Sequence, residues 1–520
     1  MNIIGCERLK ILPGNFHKLE HLRCLSCKGC TSLESFPKIK ENMSKLREIN
    51  LSGTAIIEVP SSIEHLNGLE YFNLSGCFNL VSLPRSICNL SSLQTLYLDR
   101  CSKLKGFPEM KDNMGNLERL NLSSTAIEEL SSSVGHLKAL KHLDLSFCKN
   151  LVNLPESIFN ISSLETLNGS MCLKIKDFPE IKNNMGNLER LDLSFTAIEE
   201  LPYSIGYLKA LKDLDLSYCH NLVNLPESIC NLSSLEKLRV RNCPKLQRLE
   251  VNLEDGSHIL RSLNTTCCII KQGVIWSNGR FSSLETLHLR CSQMEGEILN
   301  HHIWSLSSLV ELCIRNSDLT GRGILSDSFY PSSLVGLSVG NFNLMEVGDK
   351  GESNDSPLSV GIQGILNDIW NLSSLVKLSL NNCNLMEVGI LSDIWNLSSL
   401  VKLSLNNCNL KEGEILNRIC HLPSLEELSL DGNHFSSIPA GIRLLSNLRA
   451  LNLRHCKKLQ EIPELPSSLR DLYLSHCKKL RAIPELPSNL LLLDMHSSDG
   501  ISSLSNHSLL NCLKSKLYQV

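Results

Sequence analysis

One spacing, L-x-x-L-x-L, returns along nearly the whole chain and restricts its fold more than any other feature. It starts at Leu22, Leu46, Leu69, Leu93, Leu117, Leu140, Leu164, Leu188, Leu211 and Leu235, then at Leu284, Leu309, Leu334, Leu375, Leu400, Leu425, Leu448 and Leu469. Most steps are 23–25 residues. The leucines at positions 4 and 6 have the two-residue period of a strand, so they face one way while their neighbours face solvent. Apolar residues follow at positions 12 and 15, and usually a proline at 16, as in Leu211, Leu214, Leu216, Cys219, Leu222, Leu225 and Pro226. Proline cannot donate to a ladder and ends the extended half. Segments such as ESICNLSSL then return as a short helix or 3-10 turn.

One such unit cannot bury its own leucines, and stacking must do it. The period lies in the leucine-rich-repeat range. The expected fold is therefore an α/β leucine-rich-repeat solenoid, with a parallel sheet on its concave side and short helical, 3-10 or irregular segments on its convex side. Length alone would suggest several domains, but an internal repeat overrides that prior. A longer period lies over the first. Thr54, Thr125 and Thr196, in GTAIIEVP, STAIEELS and FTAIEELP, are each 71 residues apart, so three repeats have been copied as a block. The expected organisation is a first repeat block at 1–249, a degenerate repeat or insertion at 250–283 built around LRSLNTTCC, and a second block at 284–490 with a polar loop near 349–364. A terminal segment follows at 491–520. The chain opens inside a repeat. Its first residues lack a basic region followed by a long apolar stretch, so no secretory signal is expected. The last two steps shorten to 21 residues, which leaves no room for a convex helical turn.

Position 9 is the second regularity. It holds Cys30, Cys77, Cys101, Cys148, Cys172, Cys219, Cys243, Cys383, Cys408, Cys456 and Cys477, with Thr54, Thr125, Thr196 and Asn433 in the same place elsewhere. All are small and carry a hydrogen-bonding atom. At the end of a strand, where backbone groups need partners, they should form a structural ladder rather than a redox or metal centre. CLSCKGC (24–30) resembles part of an iron–sulfur spacing, but its cysteines fall at positions 3, 6 and 9 and should not converge. The pair His301 and His302 is read as convex surface, and NLSSL triplets as repeat sequence rather than glycan sites. Lys457, Lys458, Lys478 and Lys479 form a local basic edge.

No phosphate-binding Gly-x₄-Gly-Lys-Ser/Thr loop, kinase signature, Gly-x-Ser-x-Gly elbow or His-Glu-x-x-His occurs. Neither catalysis nor any cofactor or metal is expected. The formal charge is −3, so no strong field would draw nucleic acid. No apolar run approaches the roughly 18 residues of a membrane span. What remains is a protein-binding face. Taking positions 2, 3, 5, 7 and 8 as its solvent side, its aromatic and cationic candidates are Tyr71, Tyr97, Arg100, Arg119, Phe147, Arg190, Phe195, Tyr218, Arg239, Arg241 and Tyr473. Exposed aromatics and arginines are the usual anchors of interfaces.

The alternation of L-S-x-T-A-I-E-E-L-P with L-x-x-C-x-x-L-x-x-L-P units resembles the leucine-rich-repeat domain of plant TIR-type nucleotide-binding disease resistance proteins. So does the ending HCKKLQEIPELPSSLRDLYLSHCKKLRAIPELPSNL. The resemblance covers 1–505, and NHSLLNCLKSKLYQV looks like the start of a post-repeat region. It implies a fragment without the TIR and nucleotide-binding domains. It also implies a cytoplasmic, possibly nuclear, receptor part that senses a pathogen effector or guarded host protein and restrains the nucleotide-binding domain. The competing expectation is the ectodomain of an extracellular leucine-rich-repeat receptor binding a peptide or protein.

Overall fold

A computed structural model describes residues 1–110, 114–182, 186–246, 249–251, 260–268, 274–276, 283–291, 308–315, 333–340, 372–383, 396–412 and 414–498. The polar stretch near 349–364, His301 and His302, and most of 491–520 lie outside these residues. The chain forms two compact units, 1–269 with 274–281, and 270–273 with 282–520. Each is a leucine-rich-repeat solenoid built on a parallel sheet.

In the first unit, three-residue strands repeat from Cys24–Ser26 to Lys237–Arg239, and Ser262–Cys268 adds a further one. All pair in parallel and in the same register, so that Leu120 faces Leu143 and Leu191 faces Leu214. Ser262–Cys268 continues this register from Lys237–Arg239, with Leu260, Leu263 and Thr265 buried as positions 1, 4 and 6. Leu249–Val251 and Val274–Trp276 pair separately. The second unit repeats the plan from Thr286–Cys291 to Leu492–Asp494.

The three-residue strands from Cys24–Ser26 to Lys237–Arg239 show their middle residue buried and their outer two at the surface. Positions 1, 4 and 6 form the core; Leu69, Phe72 and Leu74 are each 0% exposed. On the convex side, Pro84, Pro155, Pro202 and Pro226 take extended angles and cap the 3-10 turns Arg85–Asn89, Glu156–Asn160, Tyr203–Tyr207 and Glu227–Asn231. A proline suits this place because its missing N–H would have no partner there. Where Ser131 replaces proline, its side chain accepts from the Ser133 N–H.

One repeat in each copied block shows no convex helix among its described residues. Its buried Ile39, Met110 or Ile181 instead donates its N–H to Ser62, Ser133 or Ser204 of the next repeat, each at 2.9 Å. Between Leu445 and Ser498 no helical turn forms, as the shortened steps require.

Candidate functional site

The backbone after each strand decides which surface a side chain joins. Position 8 is left-handed in every described repeat from Leu22 to Leu235, and again from Leu375 onward. Gly29, Gly53, Gly76 and Gly432 take it without strain. Arg100 (φ 61°), Phe147 (60°), Met171 (61°), Phe195 (57°) and Tyr218 (63°) take it as L-residues with a full side chain, at roughly 1 kcal/mol or more each. The conformation lets the position-8 N–H donate to the position-7 carbonyl of the next repeat, as Phe195 does to Ser217 at 2.8 Å.

Position 9 then turns inward. The Cys77, Cys101, Cys148, Cys172, Cys219, Cys243, Cys456 and Cys477 thiols each donate to the position-6 carbonyl of the preceding repeat at 3.0–3.3 Å. Cys30 donates to Ile3 and Cys408 to Leu380 in the same way. Cys383 is buried and bonds its own Asn381 carbonyl at 3.6 Å. Burial pushes the Cys77, Cys101 and Cys148 thiols up, those of Cys172 and Cys456 to about 12 and those of Cys219, Cys408 and Cys477 to about 11. A thiol so protonated is a poor nucleophile and ligand. In CLSCKGC, Cys24 is exposed while Cys27 and Cys30 are buried. No cluster of His, Cys, Asp or Glu among the described residues could hold a metal ion.

The surface candidates therefore do not share one face. Tyr71, Tyr97, Arg119, Arg190, Arg239 and Tyr473 stand on the strands. Arg100, Phe147, Phe195, Tyr218 and Arg241 stand in the turns beyond the strand ends. Assigning positions 7 and 8 to the sheet face is corrected here, because a positive φ takes position 8 out of the extended run whose side chains alternate. The turns also carry Met171, which aligns with Phe147 and Phe195 in the position-8 column; its strand lacks the usual position-6 leucine, with Gly169 there instead, and spacing alone did not mark it.

On the sheet face of the first unit, Tyr97, Arg119, His142, Asp144, Arg190, Asp192, Asp213, Asp215 and Arg239 line a trough of about 480 Å³. Position 3 supplies Arg119, His142, Arg190 and Asp213. Position 5 supplies Asp144, Asp192 and Asp215, whose Oδ1 atoms accept the N–H of Ser146, Ser194 and Ser217 at 2.8–2.9 Å. These aspartates cap the turn, a role that spacing alone did not reveal. Burial holds the Asp192 carboxyl above its ordinary range, and Asp215 nearby adds to the effect.

Arg239 pairs with Asp213 at 2.6 Å and Asp215 at 3.4 Å. His142 bonds Thr166 Oγ1 at 2.9 Å, and burial, then Arg119, lowers its pKa. Arg119 and Arg190 are exposed and, among the described residues, have neither an ion-pair partner nor a hydrogen bond from their guanidinium groups. Along position 2, by contrast, the cations are matched rung to rung: Arg47 with Glu70, Lys141 with Glu118, and Lys212 with Glu189. Tyr71 and Tyr97 meet edge to face at 5.8 Å between centroids.

In the second unit, Arg454 lies 4.5 Å over the Tyr473 ring and pairs with Asp494. A trough of about 570 Å³ is floored there by Ser338, Ser379, Ser404 and Ser429. His455 and His476 stack at 4.8 Å in the position-8 column, beside the exposed Lys457, Lys458, Lys478 and Lys479.

Residues 1–124 match the family described as leucine-rich repeat region, and 139–161 the Leucine Rich Repeat family. Residues 160–254 and 389–501 match disease resistance protein RPS4B-like leucine-rich repeats. The chain is 34% identical over 158 residues to the Disease resistance-like protein DSC1 of Arabidopsis thaliana, covering 30% of this chain and 13% of that protein. It is 38% identical over 175 residues to the TMV resistance protein N of Nicotiana glutinosa, covering 29% and 13%. It thus spans about an eighth of the length of these relatives. Among solved structures, a TDR receptor aligns with a TM-score of 0.51 at 20% identity, over 90% of this chain and 77% of that one. YopM from Yersinia enterocolitica aligns at 0.50 and 20% identity, over 92% and 87%.

Proposed function

We propose, for a chain that belongs to the leucine-rich-repeat regions of plant disease resistance proteins, that its sheet face senses a pathogen effector or a guarded host protein from the cytoplasm. The observation carrying this reading is the pair of unmatched guanidinium groups, Arg119 and Arg190, in the trough of the first unit. Every position-2 cation named above is paired with a carboxylate one rung away, whereas Arg119 is paired with none among the described residues and Asp213, directly opposite Arg190, is engaged by Arg239 instead. A guanidinium offers a planar fork of donors to a carboxylate or a backbone carbonyl, and Tyr97 and Tyr71 extend the trough with amphipathic rings. Recognition of this kind needs no chemistry from the chain itself. The partner acts by binding one state of the receptor better than another.

The test is Arg119→Glu with Arg190→Glu in the full-length receptor, expressed in leaf tissue with the effectors of a pathogen to which the plant responds. The response should be lost while the thermal midpoint of the isolated repeat region stays within a degree or two. An undiminished response would refute the trough as the sensing surface.

The second part of the reading is restraint of a nucleotide-binding domain through the Lys457, Lys458, Lys478 and Lys479 edge. Changing all four to Glu should raise the response in the absence of any pathogen. A response that stays silent would count against that contact.

A further inference from the structure

The position-8 column of the first unit carries an apolar stripe that the fold does not need. Phe147, Met171, Phe195 and Tyr218 occupy it in four consecutive repeats, all at positive φ. Phe147 is 47% and Tyr218 37% exposed. Phe195 and Tyr218 stack face to face at 4.2 Å and 6°. Ser124 directly precedes the stripe in this column, and Asn242, a residue type that tolerates the left-handed region more readily, follows it. Four bulky apolar side chains, Phe147 and Tyr218 exposed and Met171 and Phe195 half-buried, are therefore held at the surface in the backbone state least suited to them. Strain of this kind clusters at functional sites, and contiguous exposed apolar residues mark interaction surfaces.

The charges beside the stripe indicate what covers it. Arg100 stands in the column beyond Ser124 on one side and Arg241 beyond Tyr218 on the other, with Lys149 next to Phe147; all three are exposed. Lys174 reaches only the neutral Asn150 side chain. On the sheet side, Asp144, Asp192 and Asp215 each commit an oxygen to a turn N–H. The turns themselves add only Asp99, which accepts the Ser75 hydroxyl. Glu128 and Glu199 lie three residues past the position-9 threonines. The immediate collar is thus cationic on a chain of net charge −3. A second copy would bring the same collar and be repelled.

We infer that this turn edge docks an acidic amphipathic peptide segment of a protein partner, with apolar anchors over Phe147, Met171, Phe195 and Tyr218 and carboxylates toward Arg100, Lys149 and Arg241. Four rungs span roughly 15 Å, the reach of about five extended residues. This surface is separate from the trough and does not depend on it.

The probe is a fluorescent synthetic peptide of about twelve residues with Leu and Phe at alternate positions between Glu residues. Its controls replace every Glu by Lys, or every Leu and Phe by Ser. The protein is the full chain, compared with the triple variant Phe147→Asn, Phe195→Asn, Tyr218→Asn. The acidic apolar probe should bind at least tenfold more tightly than either control, and weaken as salt rises. The variant should lose at least tenfold in affinity with an unchanged or higher thermal midpoint, since asparagine suits the left-handed backbone. Three results would overturn the proposal: equal binding by the Lys probe, equal binding by the variant, or a variant that melts several degrees lower, which would make the aromatics packing residues. The Arg119→Glu, Arg190→Glu protein should bind the probe as the parent does, so failure here and failure of the sensing trough are told apart.

Discussion

Thr196 Oγ1 and Cys219 Sγ, one repeat apart, lie 3.3 Å from each other and share one acceptor, the carbonyl of Leu193, at 2.7 and 3.2 Å. Thr54 with Cys77 on Leu51, and Thr125 with Cys148 on Leu122, repeat the arrangement 71 residues apart. The copied block carried the hydrogen-bond motif along with its leucines. Substituting Thr196→Val keeps the shape and removes the hydroxyl. Because Cys219 still serves the carbonyl, we expect a loss of only about 1 kcal/mol, read as a shift of the urea midpoint with unchanged slope. A loss several times larger would mean that Cys219 cannot hold the bond alone.

Asn433 is the richest rung of the ladder. It is 0% exposed. Its amide donates to the Leu405 and Leu430 carbonyls and its oxygen accepts from the Cys408 and Leu410 N–H groups, all at 2.8–3.1 Å. Asn433→Ala strands buried groups in two repeats, at about 3 kcal/mol or more. Hydrogen exchange should speed up at Cys408 and Leu410 first, ahead of any change in the first unit. Uniform acceleration along the chain would contradict a local role.

Gly206 marks a place where convex turns approach closely. A Cβ there would sit 2.5 Å from the Ser228 carbonyl oxygen, whereas one at Gly115 would meet nothing within 4 Å. Gly206→Ala should therefore destabilise by about 1–3 kcal/mol and Gly115→Ala should be nearly neutral. Matched thermal melts of the two variants decide the point, and equal midpoints would defeat it.

The buried thiols make stability depend on alkaline pH. Their folded pKa values, about 11 to 12, exceed the ordinary value of 9.0. The unfolded chain thus releases protons first, and stability that is complete below pH 9 falls as pH rises toward 11–12. Replacing Cys172 and Cys456 by Thr should flatten that decline. A thiol reagent at neutral pH should label the exposed Cys6 and Cys24 quickly and the ladder only after denaturation. Rapid labelling of Cys219 in the folded protein would refute the assignment.

The period of the leucines determined the architecture without any coordinates. Positions 1, 4 and 6 have no apolar partner within their own repeat, so stacking in register is the only way to bury them. The small polar-capable residues at position 9 and the shortened final steps also carried their structural meaning in plain spacing. The sign of φ at position 8 was a different matter. Glycine there suggests a turn, but phenylalanine and tyrosine read as face residues until the backbone shows that Phe147, Phe195 and Tyr218 have left the strand. The pairing state of Arg119, Arg190 and Arg239 was likewise invisible. Spacing did not show that Arg239 would pair with Asp213 and Asp215 of the neighbouring strand while Arg190, directly opposite Asp213, would not. Spacing specifies which residues share a face when the backbone alternates regularly. Where the chain turns, side-chain direction depends on local dihedrals and on carbonyls and carboxylates supplied by the adjacent rung, and these exist only once the repeats are stacked.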